Sequence, residues 1–232
     1  MSRSIPADRF GKLIGCATEV LIRQGYRRTQ MSDVAEALGV AKGTLYLYVE
    51  SKEALLDLAL RHADDPGPIP VPDALPVRTP EPGATLAFAR ERSTSRARTP
   101  RLQDALERDA AADVAAELEA IVREAYGICA ANKRSIKLID RCAQDRPDLG
   151  ELWFRGGREG LMGLLVAYLT ARPQLAAGLP DVHVTARVVV ELIAFWAVHR
   201  HWDPHPQRID EKTAEDTVAG FVVRTLASGV DK

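Results

Sequence analysis

Three adjacent residues, Lys42, Gly43 and Thr44, combine properties that suit contact with double-stranded DNA. The lysine can reach a guanine edge or a phosphate, the glycine removes a Cβ where a backbone would approach the duplex, and the threonine offers a methyl and a hydroxyl group. A helix that enters the major groove needs short side chains and donors at its N-terminal end. The sequence therefore predicts that these residues begin a DNA-recognition helix.

Two tyrosines and a second lysine follow closely enough to add donors. Tyr46 and Tyr48 carry hydroxyl groups on adjacent faces of the predicted helix, and Lys52 lies at the start of the next helix, where backbone amides favour phosphate. Core packing is the alternative for the tyrosines, expected in part for Tyr46 and less for Tyr48. The alternative for Lys52 is a free surface lysine.

The preceding residues place this recognition helix in a helix-turn-helix. Apolar residues recur at helical spacing over about 31–38, and Gly39 then permits the positive φ of a sharp turn. The recognition helix is predicted over about 42–48. Two short helices joined by a turn that contains glycine are typical of the helix-turn-helix motif, here over about 30–49.

Helices are also predicted on both sides of this motif. An apolar stripe from Phe10 to Leu21 indicates a first helix that Gly25 ends, and Ser51 is a suitable N-cap for a fourth helix.

The whole stretch of about residues 8–60 resembles the tetracycline-repressor (TetR) family. The matching positions are dense and nearly without gaps: Gly25-Tyr26, Thr29, Asp33-Val34-Ala35, Leu38-Gly39-Val40, Lys42-Gly43-Thr44-Leu45-Tyr46, Tyr48 and Ser51-Lys52-Glu53-Ala54-Leu55-Leu56. Three positions depart from the family pattern, at Gln30, Ala41 and Val49, and they concern sequence preference and one phosphate contact. The resemblance implies a DNA-binding domain over residues 1–62.

The start of the second helix has a role in this resemblance. Thr29, Gln30 and Ser32 are implied to touch the DNA backbone or bases. Thr29 or Ser32 is also the predicted N-cap of that helix.

Charge is weak evidence for DNA contact. The chain has a net charge of −1, but residues 1–62 carry nine Lys/Arg against seven Asp/Glu, and the remainder carries 22 against 25. A mildly basic N-terminal part (+2) on a mildly acidic body (−3) is compatible with phosphate contact.

A proline-rich segment follows the predicted DNA-binding domain. Residues 66–82 hold seven of the fourteen prolines, so no helix is expected to pass through them. The favoured interpretation of residues 63–83 is a solvated, semi-rigid linker. A hinge that transmits motion and a proline-rich ligand for another protein are the alternatives.

The remaining residues, 84–232, are predicted to be a helical effector-binding and dimerisation domain, which makes the fold all-α. The predicted helices are 83–95, 100–111, 112–131, 133–144, 149–171, 183–202 and 212–228. The last two are amphipathic and can pair with their copies as a four-helix bundle. The resemblance implies the same homodimer interface, for which the candidates are Val188, Glu191, Leu192, Phe195, Val218, Phe221, Val222 and Leu226. Internal helices of a monomer are the alternative.

The family resemblance also implies a small-molecule effector in this body. Apolar and aromatic side chains with a few polar ones commonly line such pockets, although core packing is the alternative for each residue. The candidates are Phe88, Tyr126, Trp153, Phe154, Met162, Tyr168 and Trp196. Glu191 is the unusual polar residue of its helix, and it could pair at the interface, face solvent or hold a cationic group.

Other classes of function find little support. The histidines at 199, 201 and 205 fit no metal-site spacing, no enzyme motif is present, and no cofactor is expected. No stretch is long and apolar enough to span a membrane, and Cys16, Cys129 and Cys142 are far apart, so a cytoplasmic protein with reduced thiols is expected.

The sequence thus predicts a transcriptional regulator that binds an inverted-repeat operator. A repressor released by a small, largely apolar ligand is the favoured form, and an activator is also possible. The alternative from another class is an all-helical ligand-binding or scaffolding protein whose helix-turn-helix is only structural.

Overall fold

The computed structural model describes residues 7–96 and 98–227, and the regular secondary structure of this part of the chain is helical apart from one isolated β-bridge. The predicted all-α fold is confirmed. Its α-helices are α1 (Ala7–Gln24), α2 (Met31–Leu38), α3 (Lys42–Leu45), α4 (Lys52–His62), α5 (Ala84–Arg96), α6 (Pro100–Leu106), α7 (Val114–Ala131), α8 (Lys133–Ala143), α9 (Pro147–Glu151), α10 (Glu159–Ala171), α11 (Pro173–Ala176), α12 (Val182–Ala197) and α13 (Glu211–Leu226).

Two shorter helical types complete the list of elements. A π-helix spans Leu152–Arg158 and connects α9 to α10, and a 3-10 helix spans His199–Trp202 after α12. The sequence predicts one continuous helix over 149–171 and misses both the change of helix type and the short α11. No described helix is long and apolar enough to cross a membrane.

The chain divides into two compact units. The N-terminal unit combines Met1–Thr94 with Arg134–Trp153, and the C-terminal unit combines Ser95–Lys133 with Phe154–Lys232. The sequence-based domain boundaries at 62 and 84 place residues 134–153 with the C-terminal body, whereas in the structure α8 and α9 pack within the N-terminal unit.

The core of the N-terminal unit joins the first four helices. Phe10, Leu13 and Ile14 of α1 are fully or almost fully buried against α2, α3 and α4. Val34 and Leu45, from α2 and α3, are buried in the same cluster. This burial fixes the position of the two helices of the helix-turn-helix.

The proline-rich segment is packed against this core, which corrects its interpretation as a solvated linker. Ile69, Val71, Leu75 and Val77 are half-buried against the cluster. We call residues 69–79 the strap. No helix passes through it, as predicted, but its apolar side chains alternate with prolines and can therefore cover the core while the prolines keep the backbone extended.

Backbone hydrogen bonds fix the strap to the residues that follow α3. Val77 forms a parallel β-bridge with Val49: its amide donates to the Tyr48 carbonyl at 2.8 Å, and its carbonyl accepts from the Glu50 amide at 3.0 Å. The Thr79 amide donates to the Glu50 carboxylate at 2.9 Å. The strap is therefore part of the N-terminal unit's structure.

The start and end of α8 are tied to other parts of the N-terminal unit. The amides of Arg134 and Ser135 donate to the carboxylate of Asp64 at 2.9 and 3.1 Å, which satisfies donors at the beginning of the helix. Near its end, Arg141 donates to the carbonyls of Ile22 and Arg23 at 3.0 and 3.2 Å. These carbonyls belong to the last turn of α1, where acceptors lack helical partners.

The C-terminal unit packs α7, α10, α12 and α13 together, with α6 against α7 and α10. Among the described side chains of this unit, Arg172 is the most buried cation; it is 1% exposed and directly follows α10. The guanidinium donates to the Glu117 carboxylate at 3.0 Å and to the Ala105 carbonyl at 2.8 Å. The protein tolerates this buried charge because it is paired and hydrogen-bonded. The contacts of Arg172 connect the end of α10 to α6 and α7.

Candidate DNA-binding surface

The N-terminal end of α2 is capped by Gln30, which corrects the prediction of Thr29 or Ser32. The backbone amide of Gln30 donates to the Asp33 carboxylate at 2.9 Å. Thr29 is 1% exposed and its hydroxyl donates to the Gly25 carbonyl at 2.7 Å, so it is occupied within the protein. Gln30 is exposed and Ser32 is half-buried, which leaves both able to reach a ligand.

The turn between the two helices has the predicted glycine geometry. Gly39 adopts a φ of 72°, in the left-handed region, and its amide donates to the Glu36 carbonyl at 2.9 Å. The Val40 amide donates to the Ala35 carbonyl at the same distance. These bonds end α2 and turn the chain sharply into α3.

The recognition helix has one exposed and one buried side. The α-helix itself spans Lys42–Leu45, and a further helical turn continues through residue 48. Lys42 and Gly43 are exposed, and Thr44 is half-buried. Nothing lies within 4 Å of the position that a Cβ on Gly43 would take, so the backbone is open to a close approach there.

The two tyrosines are exposed in the opposite order from the prediction. Tyr46 is 42% exposed, whereas Tyr48 is 3% exposed and belongs to the core cluster. Leu45, three residues before Tyr48, is also fully buried, and residues at this spacing lie on the same side of a helix. Tyr48 therefore supports the recognition helix from beneath, and Tyr46 has its side chain on the accessible side.

Lys52 takes part in a contact cluster that the sequence did not reveal. Its Nζ donates to the Tyr26 carbonyl at 3.0 Å and lies 4.4 Å from the centre of the Tyr26 ring. Arg146 lies 5.2 Å from the centre of the same ring. Lys52 is therefore half-buried rather than a free surface lysine. A phosphate bound there would share the Lys52 ammonium group with the Tyr26 carbonyl.

Tyr26 and Glu53 form a hydrogen-bonded pair in this cluster. The Tyr26 hydroxyl donates to the Glu53 carboxylate at 2.7 Å. Burial and this hydrogen bond raise the pKa of Tyr26 to about 12. The same bond, donated by the tyrosine, lowers the pKa of Glu53 below its usual value. Near neutral pH, the pair is therefore a neutral phenol on an ionised carboxylate.

Sequence reasoning missed Leu47, which is 64% exposed on the recognition helix. A leucine between two tyrosines is more typical of a buried residue. The spacing contains a signal for its exposure, since Leu45, Tyr48 and Val49 can occupy the inward side together only if residues 46 and 47 point outward.

The predicted effector residues are divided between the two units. Phe88 and Trp153 belong to the N-terminal unit, where Phe88 lies under the guanidinium groups of Arg61 and Arg92, 4.3 and 5.7 Å from its ring centre. The other five belong to the C-terminal unit: Tyr126, Phe154, Met162, Tyr168 and Trp196.

Within the C-terminal unit, these side chains differ in environment. Tyr126 is 1% exposed and donates to the Glu211 carboxylate at 2.7 Å, so burial and this bond raise its pKa. Tyr168 is fully buried and its ring lies 5.5 Å from the Arg172 guanidinium. Met162 and Trp196 are half-buried, and Phe154 is 41% exposed.

The predicted dimer residues separate into an exposed and a buried group. Val188, Phe195 and Phe221 are 55%, 42% and 53% exposed, Glu191 is also exposed and Leu192 is half-buried. This result corrects the prediction for three others, because Val218, Val222 and Leu226 are almost fully buried in the protomer and have little surface left for a partner.

Glu191 has partners within its own protomer. Its carboxylate accepts from Arg158 at 2.6 Å and from Arg187, one helical turn earlier, at 2.8 Å. The residue faces solvent, which is one of the three roles proposed for it, and it forms ion pairs within its own protomer there. Pairs this exposed add little to stability.

Comparison with known proteins shows what the N-terminal region is similar to. Residues 13–59 match the family model described as bacterial regulatory proteins, tetR family. The fatty acid metabolism regulator protein of Bacillus subtilis (strain 168) is 42% identical over 48 residues, which are 21% of this chain and 25% of that protein. The HTH-type transcriptional activator FasR of Mycolicibacterium smegmatis is 38% identical over 63 residues, 26% of this chain and 29% of that protein.

These alignments cover only about a quarter of the length of the curated relatives. A likeness of fold extends over nearly the whole chain. The ketosteroid transcriptional regulator KstR2 of Mycobacterium tuberculosis superposes with a TM-score of 0.52 and 17% identity, covering 98% of this chain and 96% of that one.

Proposed function

We propose that the protein is a sequence-specific, DNA-binding transcriptional regulator of the TetR type, because residues 13–59 match the tetR family model and a curated relative is named as a regulator. The observation that carries the proposal is the accessible side of the recognition helix. There, Lys42, Gly43 and Tyr46 are exposed together while Leu45 and Tyr48 hold the helix on the core. A cation, an open backbone and a hydroxyl at this place suit phosphates and base edges in a major groove.

The proposed contacts are assigned by exposure. Gln30, Ser32, Lys42, Thr44 and Tyr46 have accessible side chains and would touch DNA directly. The remaining predicted residues act differently: Gly43 allows close approach, Thr29 and Tyr48 hold the two helices in place, and Lys52 adds positive charge while bound to the Tyr26 carbonyl.

A homodimer on an inverted-repeat operator is the proposed assembly. Val184, Val188 and Phe195 form an exposed stripe along α12 that the exposed Glu191 interrupts, and Phe221 is exposed on the adjacent α13. Large apolar side chains exposed along one side of a helix favour burial against a second copy. Two recognition helices in such a dimer would meet half-sites about 34–36 Å apart, or a multiple of this distance.

The proposed signal is a small, largely apolar ligand that releases a repressor from its operator. Apolar and aromatic side chains dominate the candidates of the C-terminal unit, and a B. subtilis relative is named as a regulator of fatty acid metabolism. A ligand acts in this way only if it binds the DNA-free state more tightly than the DNA-bound state. Another relative is named as an activator, so the direction of control is part of the test.

A selection from randomised duplexes with the purified full-length protein tests DNA binding. We expect enrichment of an inverted repeat. Lys42→Ala should weaken binding to the selected site about tenfold, the value typical of one good base or phosphate contact. Lys212→Ala is the matched control, since Lys212 is an exposed lysine of the C-terminal unit and its loss should leave affinity unchanged.

The same experiment distinguishes the alternative function. A protein whose helix-turn-helix is only structural would enrich no sequence, and both lysine variants would behave as wild type. A thermal-shift screen of long-chain fatty acids and other apolar metabolites, repeated with the selected duplex, then tests the signal. A stabilising compound that leaves DNA affinity unchanged would contradict the proposed coupling.

A further inference from the structure

The recognition helix exposes an apolar side chain that the proposed polar contacts do not use. Leu47 is 64% exposed, more than any other large apolar side chain in residues 7–96 and 98–227. Exposing a leucine on a folded surface gives up the roughly 1.5–3 kcal/mol that its burial would contribute. Its location on the surface proposed to meet DNA suggests that it becomes covered there.

Local geometry keeps Leu47 on the accessible side. The Leu47 amide donates to the Thr44 carbonyl at 3.1 Å and the Tyr48 amide donates to the Leu45 carbonyl at 2.9 Å, so the chain is still helical at this point. Gly43 lies four residues earlier and therefore on the same side of the helix. The leucine thus stands about one turn beyond the open backbone at Gly43.

The neighbouring side chains make this a small apolar spot on a polar surface. Thr44, three residues earlier on the same side of the helix, is half-buried, and Lys42 and Tyr46 are exposed elsewhere on the recognition helix. A leucine has neither a donor nor an acceptor, so it cannot recognise a phosphate or a polar base edge. The C5-methyl of thymine is the apolar group that the bases present in the major groove.

We propose that Leu47 contacts the C5-methyl group of a thymine in each operator half-site and so determines specificity at that base pair. This proposal rests on the proposed DNA-binding function and deepens it. A contact of this kind distinguishes thymine from uracil, which has the same hydrogen-bonding groups but no methyl. Hydrogen bonds from Lys42 and Tyr46 would not depend on that methyl.

The test replaces single thymines of the selected operator by deoxyuridine, symmetrically in both half-sites. We expect one position at which the loss of the methyl lowers affinity about fourfold per half-site, which corresponds to about 0.8 kcal/mol for one buried methyl-sized group. Leu47→Ala should weaken binding to the thymine operator and abolish the difference between thymine and uracil at that position.

Two control variants make the result specific. Thr44→Ser removes the threonine methyl group, which could also contact a thymine, and keeps the hydroxyl. Lys42→Ala removes a charge. Both should retain the thymine preference that Leu47→Ala loses. Leu47→Ala should unfold at the wild-type temperature because the residue is exposed.

The possible outcomes distinguish failure of the proposed DNA-binding function from failure of the proposed role of Leu47. If the wild-type protein enriches no operator, the proposed function and this inference both fail. If it binds an operator but every thymine tolerates deoxyuridine, or if Leu47→Ala keeps the thymine preference, the inference alone is overturned.

Discussion

Asp145 occupies the space into which a side chain on residue 25 would extend. Its Oδ2 lies 2.9 Å from the position of a Cβ built on Gly25, and the same oxygen accepts a hydrogen bond from the Arg27 amide at 2.9 Å. Gly25 also has a φ of +80°. The loop between α1 and α2 is therefore held by a residue that follows α8, more than a hundred positions later.

Gly25→Ala should destabilise the protein through both effects. The left-handed φ costs a residue with a Cβ about 1–2 kcal/mol, and the approach to Asp145 adds to this by forcing the carboxylate away from the Arg27 amide. Chemical denaturation measures the change. Gly15→Ala is the control, because nothing lies within 4 Å of its Cβ position and alanine favours a helix. Equal stability of the two variants would contradict this interpretation.

Tyr46 and Tyr48 should give opposite phenotypes. Tyr48→Ala leaves a cavity in the core and should cost about 3–5 kcal/mol of unfolding free energy, whereas Tyr46→Ala should change stability by less than about 0.5 kcal/mol and weaken operator binding. Denaturation and gel shifts report the two properties separately.

The phenylalanine variants keep this comparison valid if Tyr48→Ala fails to fold. Tyr46→Phe should weaken DNA binding, because it removes an exposed hydroxyl, and Tyr48→Phe should not. Loss of operator affinity in Tyr48→Phe at an unchanged unfolding temperature would restore Tyr48 as a direct contact.

The strap should contribute to the stability of the N-terminal unit. Replacing Ile69 and Val77 by serine removes half-buried apolar groups and should cost about 1–2 kcal/mol for each residue. The control replaces Asp73 and Arg78, two exposed residues of the strap, by serine. If the strap were a solvated linker, the Ile69/Val77 variant and the Asp73/Arg78 variant would have the same free energy of unfolding in urea.

The exposed stripe on α12 and α13 should control the oligomeric state. Phe195→Glu combined with Phe221→Glu places charges where the proposed interface is apolar, and sedimentation should then show a monomer that keeps its helical content. Lys212→Glu changes an exposed residue on α13 and should leave the dimer intact. A wild-type protein that sediments as a monomer at micromolar concentration would exclude the proposed assembly.

Local patterns were sufficient for the helix-turn-helix but not for the roles of its side chains. Gly39 and the trio at 42–44 act over a few residues, so their types and spacing predict the turn and the open start of α3. Tyr48 is buried in a cluster with residues of α1 and α4, and a local pattern does not contain these distant residues. The order of exposure of the two tyrosines was wrong for this reason.

Long-range packing explains the other differences. Val77 pairs with a residue 28 positions earlier, and Arg141 binds carbonyls of α1 across 119 and 118 positions. Neither contact leaves a periodic signal in the sequence. A proline-rich composition predicts only that no helix forms, and whether such a segment is solvated or docked depends on the apolar surface that it meets.

The discontinuous N-terminal unit also has a consequence for synthesis on the ribosome. The first 94 residues lack Arg141, which lies in α8 and binds the end of α1, and Asp145, which follows α8 and binds the loop after α1. At roughly 5–20 residues per second, translating onward to residue 153 takes several seconds. During that interval the helix-turn-helix can form its own core. The loop that leads into it does not yet have the hydrogen bond from the Arg27 amide to Asp145, and the end of α1 does not yet have those from Arg141.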